Sequence, residues 1–278
     1  MQVRVRQETD EQSASAIAQA LARNFGEDIE VLPEGEGEPI ATATPRATAS
    51  NGTSGAEEEL EPTPREQRLL EQIEEIEQGG PERYVERLDK QGKLFVRDRL
   101  ELWFGEDGLT FEDGKFAEFD ADERLPGHGL LTGAADFEGR SLHFMANDFS
   151  VKAGSMAEKG VEKFLRMQQR ALQTGKPVLY LMDSSGGRID QQTGFFANRE
   201  GIGKYYYNHS MLSGRVPQVC VLYGPCIAGA AYTPVFADFP VMVRDLSAMA
   251  IASPRIVKMV PGEDIDMPAT AGPELPTQ

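Results

Sequence analysis

The fold of this chain is decided by residues 223–234, which read Tyr223-Gly224-Pro225-Cys226-Ile227-Ala228-Gly229-Ala230-Ala231-Tyr232-Thr233-Pro234. The pattern predicts an apolar strand that stops at the Gly-Pro pair and opens into a helix of small residues. The first turn of a helix has backbone N–H groups without internal partners, and these groups can bind a negatively charged oxygen. The alternative reading is a tightly packed helix start without a ligand.

A second loop precedes this stretch by about forty residues. The apolar run Pro177–Met182 predicts a strand, and it continues into Asp183-Ser184-Ser185-Gly186-Gly187-Arg188-Ile189. From Lys176 onward strands alternate with helices, which indicates an α/β fold with parallel crossovers. Ligands in such sheets lie where strand ends meet helix starts. Two amide-lined loops that converge there would form an oxyanion hole.

Composition excludes several classes of function. Of 278 residues, 40% are apolar, and no apolar run approaches the ~20 residues of a membrane helix. The N-terminus is charged and lacks a signal-peptide pattern, so we expect a cytoplasmic protein without membrane contact. The net charge of −17 argues against binding a nucleic-acid backbone.

Cysteine and histidine usage gives no metal pattern. Only Cys220 and Cys226 are present, and their spacing fits neither a zinc site nor a disulfide framework. The three histidines are scattered along the sequence, so we expect no metal site. Cys226 is interpreted as a small packing residue.

The chain is predicted to contain four segments. Residues 1–32 form a small α+β module, 33–63 a disordered linker rich in Gly, Pro, Thr, Ser and Glu, 64–266 the main domain, and 267–278 a flexible tail. A Thr63 cap with a following Pro and Glu starts the first helix of the main domain. Ser155 to Glu158 repeat this pattern before a second helix. The module is either a docking element or a dispensable appendage.

Seven ordered blocks of sequence carry a family resemblance: residues 79–83, 92–100, 148–155, 183–189, 213–218, 224–226 and 237–243. Together they resemble the carboxyltransferase subunit of biotin-dependent acyl-CoA carboxylases of the propionyl-, methylcrotonyl- and acetyl-CoA type. The family pattern has Gly where this chain has Ser185 and Ala228, and Ala where it has Gly187 and Ile227.

The resemblance implies a crotonase-like spiral of sheet and helices, of which this chain matches only the N-terminal half. The other half is then a separate subunit, or the chain is a fragment. In the family, the first half binds acyl-CoA, and carboxybiotin supplies CO2 while its freed ureido nitrogen takes the α-proton. The protein stabilises the enolate. Because the sequence has no biotin attachment motif and no ATP-binding loop, the expected partners are a biotin carboxyl carrier, a biotin carboxylase and a second carboxyltransferase half, in a hetero-oligomer.

By motif position, one side of the hole is formed by Ala228 and Gly229, and the other by Ser185, Gly186 and Gly187. Small residues there let the backbone approach the thioester closely. Phosphates are bound by local cations, and a pantetheine arm fits a narrow apolar groove. The predicted CoA contacts are therefore Lys93, Arg97 and the Phe149 to Gly154 loop, including Phe149, Ala153 and Gly154.

Several alternatives remain at this stage. Arg188 is a candidate substrate contact, with a salt bridge that fixes its own loop as the other interpretation. The Tyr205-Tyr206-Tyr207 run fits a core or interface more readily than a stacking platform. The enzyme could run as a biotin-dependent acyl-CoA decarboxylase, or the chain could be a non-catalytic scaffold that has lost the hole.

Overall fold

Alternate residues of one buried strand face two different hydrophobic cores. In the computed structural model, Tyr180 and Met182 pack into one core, whereas Leu179 and Leu181 pack into the other. This period of two is what a strand with helices on both faces requires. The structure describes residues 2–5, 10, 13–15, 17–18, 28–33, 38–43, 61–196, 198–267 and 271–274.

The chain divides into two compact units, Met1–Pro62 and Thr63–Gln278. The first unit contains a three-stranded sheet in which β1 (Gln2–Val5) pairs parallel with β2 (Ile29–Pro33). β2 also pairs antiparallel with β3 (Ala41–Ala43). The linker predicted from residue 33 was therefore wrong for β3, whose Thr and Ala residues fit an edge strand. Residues 34–37 and 44–60 of that linker lie outside the described residues.

The second unit is built on a seven-stranded mixed sheet. Its order is β10-β8-β7-β6-β5-β4, and β9 pairs with the first part of β8. β4, β5 and β6 are antiparallel, whereas β6 to β10 are joined by parallel pairing. The strands are β4 (Leu109–Asp113), β5 (Leu130–Phe137), β6 (Arg140–Asn147), β7 (Val178–Ser184), β8 (Gln218–Ile227), β9 (Phe239–Met242) and β10 (Ala248–Ala250).

Helices cover both faces of this sheet and place the site at the strand ends. The described helices are α1 (Pro64–Glu77), α2 (Glu82–Lys90), α3 (Val96–Phe104), α4 (Glu158–Thr174), α5 (Gln192–Phe195), α6 (Lys204–Leu212), α7 (Tyr232–Phe236) and α8 (Pro254–Met259). α4 and α6 pack against each other and against one core, while α3 packs against the other. No helix in the described part of the chain has the length and apolar content needed to cross a membrane.

One predicted element boundary was confirmed and two were wrong. Thr63 forms a complete capping box with Glu66, and Gly79 with φ of 76° follows α1. By contrast, α4 begins at Glu158 without a side-chain cap, because the Ser155 hydroxyl donates to the Lys152 carbonyl instead.

β8 also does not stop at the Gly-Pro pair. It runs through Gly224-Pro225 to Ile227, because its second part pairs with β10. A short 3-10 turn, Ala228–Ala231, then leads into α7.

Candidate active site

Two loops meet at the ends of β7 and β8. Ser184 pairs with Cys226, so both strands end at the same level of the sheet. A Cβ built on Gly186 would lie 3.2 Å from the Ile227 carbonyl oxygen and 3.4 Å from the Ala228 Cβ. Gly186 has φ of 107°, a conformation that side chains disfavour. The Ser185 loop and the Ala228 corner therefore face each other, as the sequence predicted.

Only part of the first loop is available to a ligand. The Ser185 amide donates to the Ala153 carbonyl at 3.0 Å, and the Gly186 amide donates to the Ser184 hydroxyl at 3.3 Å. The assignment of Ser185 and Gly186 as oxyanion donors is therefore corrected, because both N–H groups already donate within the protein. Within the described part of the chain the Gly187 amide donates no hydrogen bond. Gly187 is thus the donor that this loop offers.

The second loop turns sharply at Ala228. This residue has φ of 54°, in the left-handed region that costs a residue with a Cβ about 1–2 kcal/mol. The pairing of β8 with β10 ends at Ile227 and Ala250, just before the turn. The next amide, that of Gly229, is the second in the 3-10 turn Ala228–Ala231, a position whose N–H has no acceptor within the turn. Backbone strain at a loop with a free amide is typical of functional sites.

Lys93 binds a carboxylate of the protein, whereas the sequence predicted a contact with CoA. Its ammonium donates to both Asp183 carboxylate oxygens, at 2.9 and 3.0 Å, and it lies 3.9 Å from the centre of the Phe149 ring. The two side chains are only 5% and 1% exposed. The assignment of Lys93 to a CoA phosphate is therefore corrected: the side chain neutralises a carboxylate at the end of β7.

This ion pair also packs against β8. A Cβ on Gly224 would lie 1.9 Å from an Asp183 carboxylate oxygen and 2.5 Å from the Lys93 ammonium. Only glycine fits at that point. Burial raises the pKa of Asp183 and the nearby Lys93 counteracts it. The pair thus joins the strands that carry both loops.

Arg97 and Arg188 are also engaged within the protein. Arg97 donates to both carboxylate oxygens of Glu112, at 2.9 and 3.3 Å. Arg188 is buried and donates to the His128 carbonyl at 3.1 Å and to the Ser155 hydroxyl at 3.2 Å. Both assignments to substrate are corrected, because the guanidinium groups already have partners. For Arg188 the alternative was a salt bridge that fixes its own loop; the guanidinium instead forms hydrogen bonds to Ser155 and His128 and has no salt bridge with a described residue.

The Phe149 to Gly154 loop does border a cavity. The cavity has a volume of about 380 Å³, and Phe149 and Ala153 line it. Gly154 instead packs under the sheet edge, where a Cβ would lie 2.1 Å from the Asp183 carbonyl oxygen. Because the Ala153 carbonyl accepts the hydrogen bond from Ser185, the cavity wall continues into the loop that ends at Gly187.

Sequence reasoning missed the cations of this cavity. Two of them, Arg83 and Arg87, lie one helical turn apart on α2, and neither forms an ion pair with a described residue. The i, i+4 spacing of two arginines on a short polar helix was the signal available. The four cations that line the cavity are Arg83, Arg87, Arg124 and Lys152.

A buried polar network packs next to the Ala228 corner, which carries the Gly229 amide. The Tyr205 hydroxyl contacts the Thr233 hydroxyl on α7, and Thr233 in turn contacts His209. His209 hydrogen-bonds to Gln218 at 3.2 Å, which also accepts from Tyr180. Burial lowers the pKa of His209 to about 4, so the ring is neutral near pH 7. The network ties α6, α7 and β8 together.

No metal site accompanies these loops in the described ranges. There, no group of three or more His, Cys, Asp or Glu side chains could hold an ion. Cys226 is fully buried, and burial raises its thiol pKa, which makes it an inert packing residue.

Comparison with known proteins defines the class. The family described as carboxyl transferase domain matches residues 87–275. The chain is 43% identical over 210 residues to the uncharacterized carboxylase YngE of Bacillus subtilis, covering 76% of this chain and 41% of that protein. It is 34% identical to the methylmalonyl-CoA decarboxylase subunit alpha of Veillonella parvula, covering 71% of this chain and 39% of that one. The chain belongs to the carboxyl transferase domain family.

The fold agrees with solved relatives. The transcarboxylase 12S structure, described as a hexamer with methylmalonyl-coenzyme A and methylmalonic acid bound, superimposes with a TM-score of 0.69 at 35% identity. The superposition covers 76% of this chain and 41% of that one. The predicted crotonase-like α/β fold is confirmed. The chain spans about 40% of the length of the relatives that it matches.

Proposed function

We propose that this chain is the acyl-CoA-binding half of a biotin-dependent carboxyltransferase, which moves a carboxyl group from carboxybiotin to the α-carbon of a short acyl-CoA. One observation carries the proposal: the amides of Gly187 and Gly229 belong to two facing loops, and a cation-lined cavity borders Ala153, whose carbonyl accepts the hydrogen bond from Ser185 of the first loop. The family relationship supports the same reading.

The role of the loops is electrostatic. When the α-proton leaves a thioester, negative charge develops on the carbonyl oxygen, and preorganised amides stabilise it without reorganising. Loss of one such donor typically costs about 2.7–4 kcal/mol in the barrier. Gly187 and Gly229 would donate to this oxygen, with the turns at Gly186 and Ala228 holding them in place. Neither amide changes its protonation state.

The cavity supplies the binding site for the CoA moiety. Its wall combines apolar side chains with Arg83 and Arg87, which suit a pantetheine arm and phosphates respectively. Ala153 connects this wall to the first loop, because its carbonyl accepts the hydrogen bond from the Ser185 amide. The predicted contacts Phe149 and Ala153 remain part of this proposal.

Biotin, carried on a partner chain, would supply the carboxyl group and accept the α-proton. The described residues fit the thioester side of such a reaction, because the loops offer N–H donors to an oxygen. We infer a second carboxyltransferase half, a biotin carboxyl carrier and a biotin carboxylase as partners in a hetero-oligomer.

Reconstitution tests the proposal. The chain is combined with a second carboxyltransferase half and a carboxylated carrier, and transfer of labelled carboxyl to acetyl-CoA or propionyl-CoA is measured. We expect transfer that depends on this chain. No transfer to any acyl-CoA, with a carrier that serves a related carboxyltransferase, would contradict the proposal.

A decarboxylase is the second candidate, favoured by the similarity to the Veillonella parvula subunit. The same complex, given methylmalonyl-CoA and uncarboxylated carrier, would then load the carrier faster than it transfers carboxyl to propionyl-CoA. Calorimetry distinguishes a non-catalytic scaffold from an active carboxyltransferase, because a scaffold would bind CoA and acyl-CoA with equal affinity.

A further inference from the structure

Tyr206 places a hydroxyl group beside Gly229. A Cβ built on Gly229 would lie 3.4 Å from the Tyr206 hydroxyl oxygen. No other atom among the described residues, apart from the chain neighbours of Gly229 and the backbone of its own helix, lies within 4 Å of that point. The open space at the Cβ position of Gly229 is therefore bordered by one polar side-chain atom.

The ring of Tyr206 is held in place by aromatic neighbours. It packs against Tyr205 and Tyr232 with ring centroids 5.1 Å apart in each case, and against Phe236 at 6.4 Å. Aromatic pairs at these distances are attractive and fix the ring orientation. The position of the hydroxyl thus follows from packing rather than from a hydrogen bond.

The hydroxyl itself donates to no described residue. The neighbouring hydroxyl of Tyr205 contacts Thr233, and that of Tyr180 donates to Gln218. Tyr206 differs from both because its polar end has no such partner, although its ring is half-buried. Burial raises the pKa of Tyr206, so the phenol keeps its proton near pH 7 and can donate. A rigid, protonated donor without an internal acceptor is suited to a ligand oxygen.

We propose that Tyr206 contacts the substrate, with its phenol O–H donating to the thioester oxygen of bound acyl-CoA beside the Gly229 amide. The proposal rests on the proposed function and names a side-chain donor for it. The hydrogen bond becomes stronger as the oxygen gains negative charge, since bonds to a charged acceptor are about twice as strong as neutral ones. Tyr206 then contributes more to the transition state than to substrate binding.

The test uses propionyl-CoA labelled with ¹³C at the thioester carbon. Bound to the wild-type chain, the carbonyl resonance should move downfield relative to free propionyl-CoA, because hydrogen bonds polarise the carbonyl. In Y206F, which keeps the ring, this movement should be smaller. In the reconstituted complex Y206F should lower kcat by about tenfold or more, with a change in KM below about threefold.

Two adjacent tyrosines provide matched controls. Tyr207 lies on the same helix and is 61% exposed, so Y207F should leave both the carbonyl resonance and kcat unchanged. Y205F removes the buried contact with Thr233, so it should lower Tm and shows the effect of a structural loss alone on stability. A role of Tyr206 confined to packing would give Y206F the behaviour of Y207F.

The outcomes distinguish a failure of the Tyr206 proposal from a failure of the proposed function. If the wild-type chain moves the carbonyl resonance and folded Y206F moves it equally, the role of Tyr206 is overturned while the proposed function stands. If the wild-type chain does not bind propionyl-CoA, both are overturned. Should Y206F fold poorly, the ¹³Cζ resonance of Tyr206 in the wild-type chain decides: it must respond to propionyl-CoA and not to free CoA.

Discussion

Gly186 and Ala228 face each other across the ends of β7 and β8, so that a Cβ on Gly186 would lie 3.4 Å from the Cβ of Ala228. Each of these residues has a positive φ, and each precedes the amide that we assign to the oxyanion hole. The two turns and the two donors therefore form one arrangement, in which a change at a turn displaces a donor.

The G186A variant tests this arrangement. Alanine at φ of 107° is strained, and its Cβ would press on the Ile227 carbonyl oxygen at 3.2 Å. We expect kcat in the reconstituted complex to fall at least about tenfold, because a displaced donor stabilises the enolate less. The matched control is G139A in the turn between β5 and β6, which has φ of 75° and no described atom within 4 Å of an added Cβ, and which should keep kcat within about threefold. Equal activity of the two variants would contradict the arrangement.

Arg87 should bind a phosphate of CoA. Removal of one charge-assisted hydrogen bond costs about 1.5–3 kcal/mol, so R87A should raise the Kd for CoA and acyl-CoA alike by about tenfold or more. Calorimetry measures both affinities, and the difference from wild type should shrink at high salt. R65A, on the exposed first turn of α1 and outside the cavity, is the control. An unchanged Kd in R87A would remove the cavity from the CoA site.

The K93M variant should destabilise the fold in a pH-dependent way. It leaves the Asp183 carboxylate buried and unpaired, which costs about 3–5 kcal/mol. The folded-state pKa of Asp183 is already raised, so the folded protein binds this proton more tightly than the unfolded chain and gains stability as pH falls. Urea unfolding should therefore show a smaller deficit of K93M against wild type at pH 5 than at pH 8. In K93M/D183N the deficit should become smaller and independent of pH.

Acid should destabilise the wild-type chain through its buried histidines. The pKa of His209 falls from 6.5 to about 4 on burial, so the folded state resists a proton that the unfolded chain accepts. Stability from this group is complete above pH 6.5 and is lost as pH falls toward 4, by roughly 3 kcal/mol. H209Q should reduce the slope of unfolding free energy against pH across this window, and an unchanged slope would refute the assignment.

The sequence predicted the two loops of the site but not the partners of its charged side chains. Gly187 and Gly229 could be located because strand ends, small residues and loop spacing are local patterns. Lys93, Arg97 and Arg188 could not be assigned correctly, because their partners Asp183, Glu112 and His128 are distant in sequence. A cation looks the same in sequence whether it binds a ligand or a buried carboxylate.

The backbone conformation of the two loops could not be predicted from the sequence either. Ser185, which replaces a Gly of the family pattern, has no positive φ, whereas Ala228 takes φ of 54°. β8 extends past Gly224-Pro225 because β10, about twenty residues further on, pairs with it. Long-range pairing overrode the local turn signal of Gly-Pro, and no local pattern encodes that choice.

The central claim is tested most directly by the ¹H–¹⁵N resonances of Gly187 and Gly229. On addition of propionyl-CoA both amide protons should move downfield, as expected when they donate to the thioester oxygen, whereas free CoA should leave them in place. Amides that stay unmoved by the thioester, or respond equally to free CoA, would contradict the claim that these two loops hold the reacting oxygen.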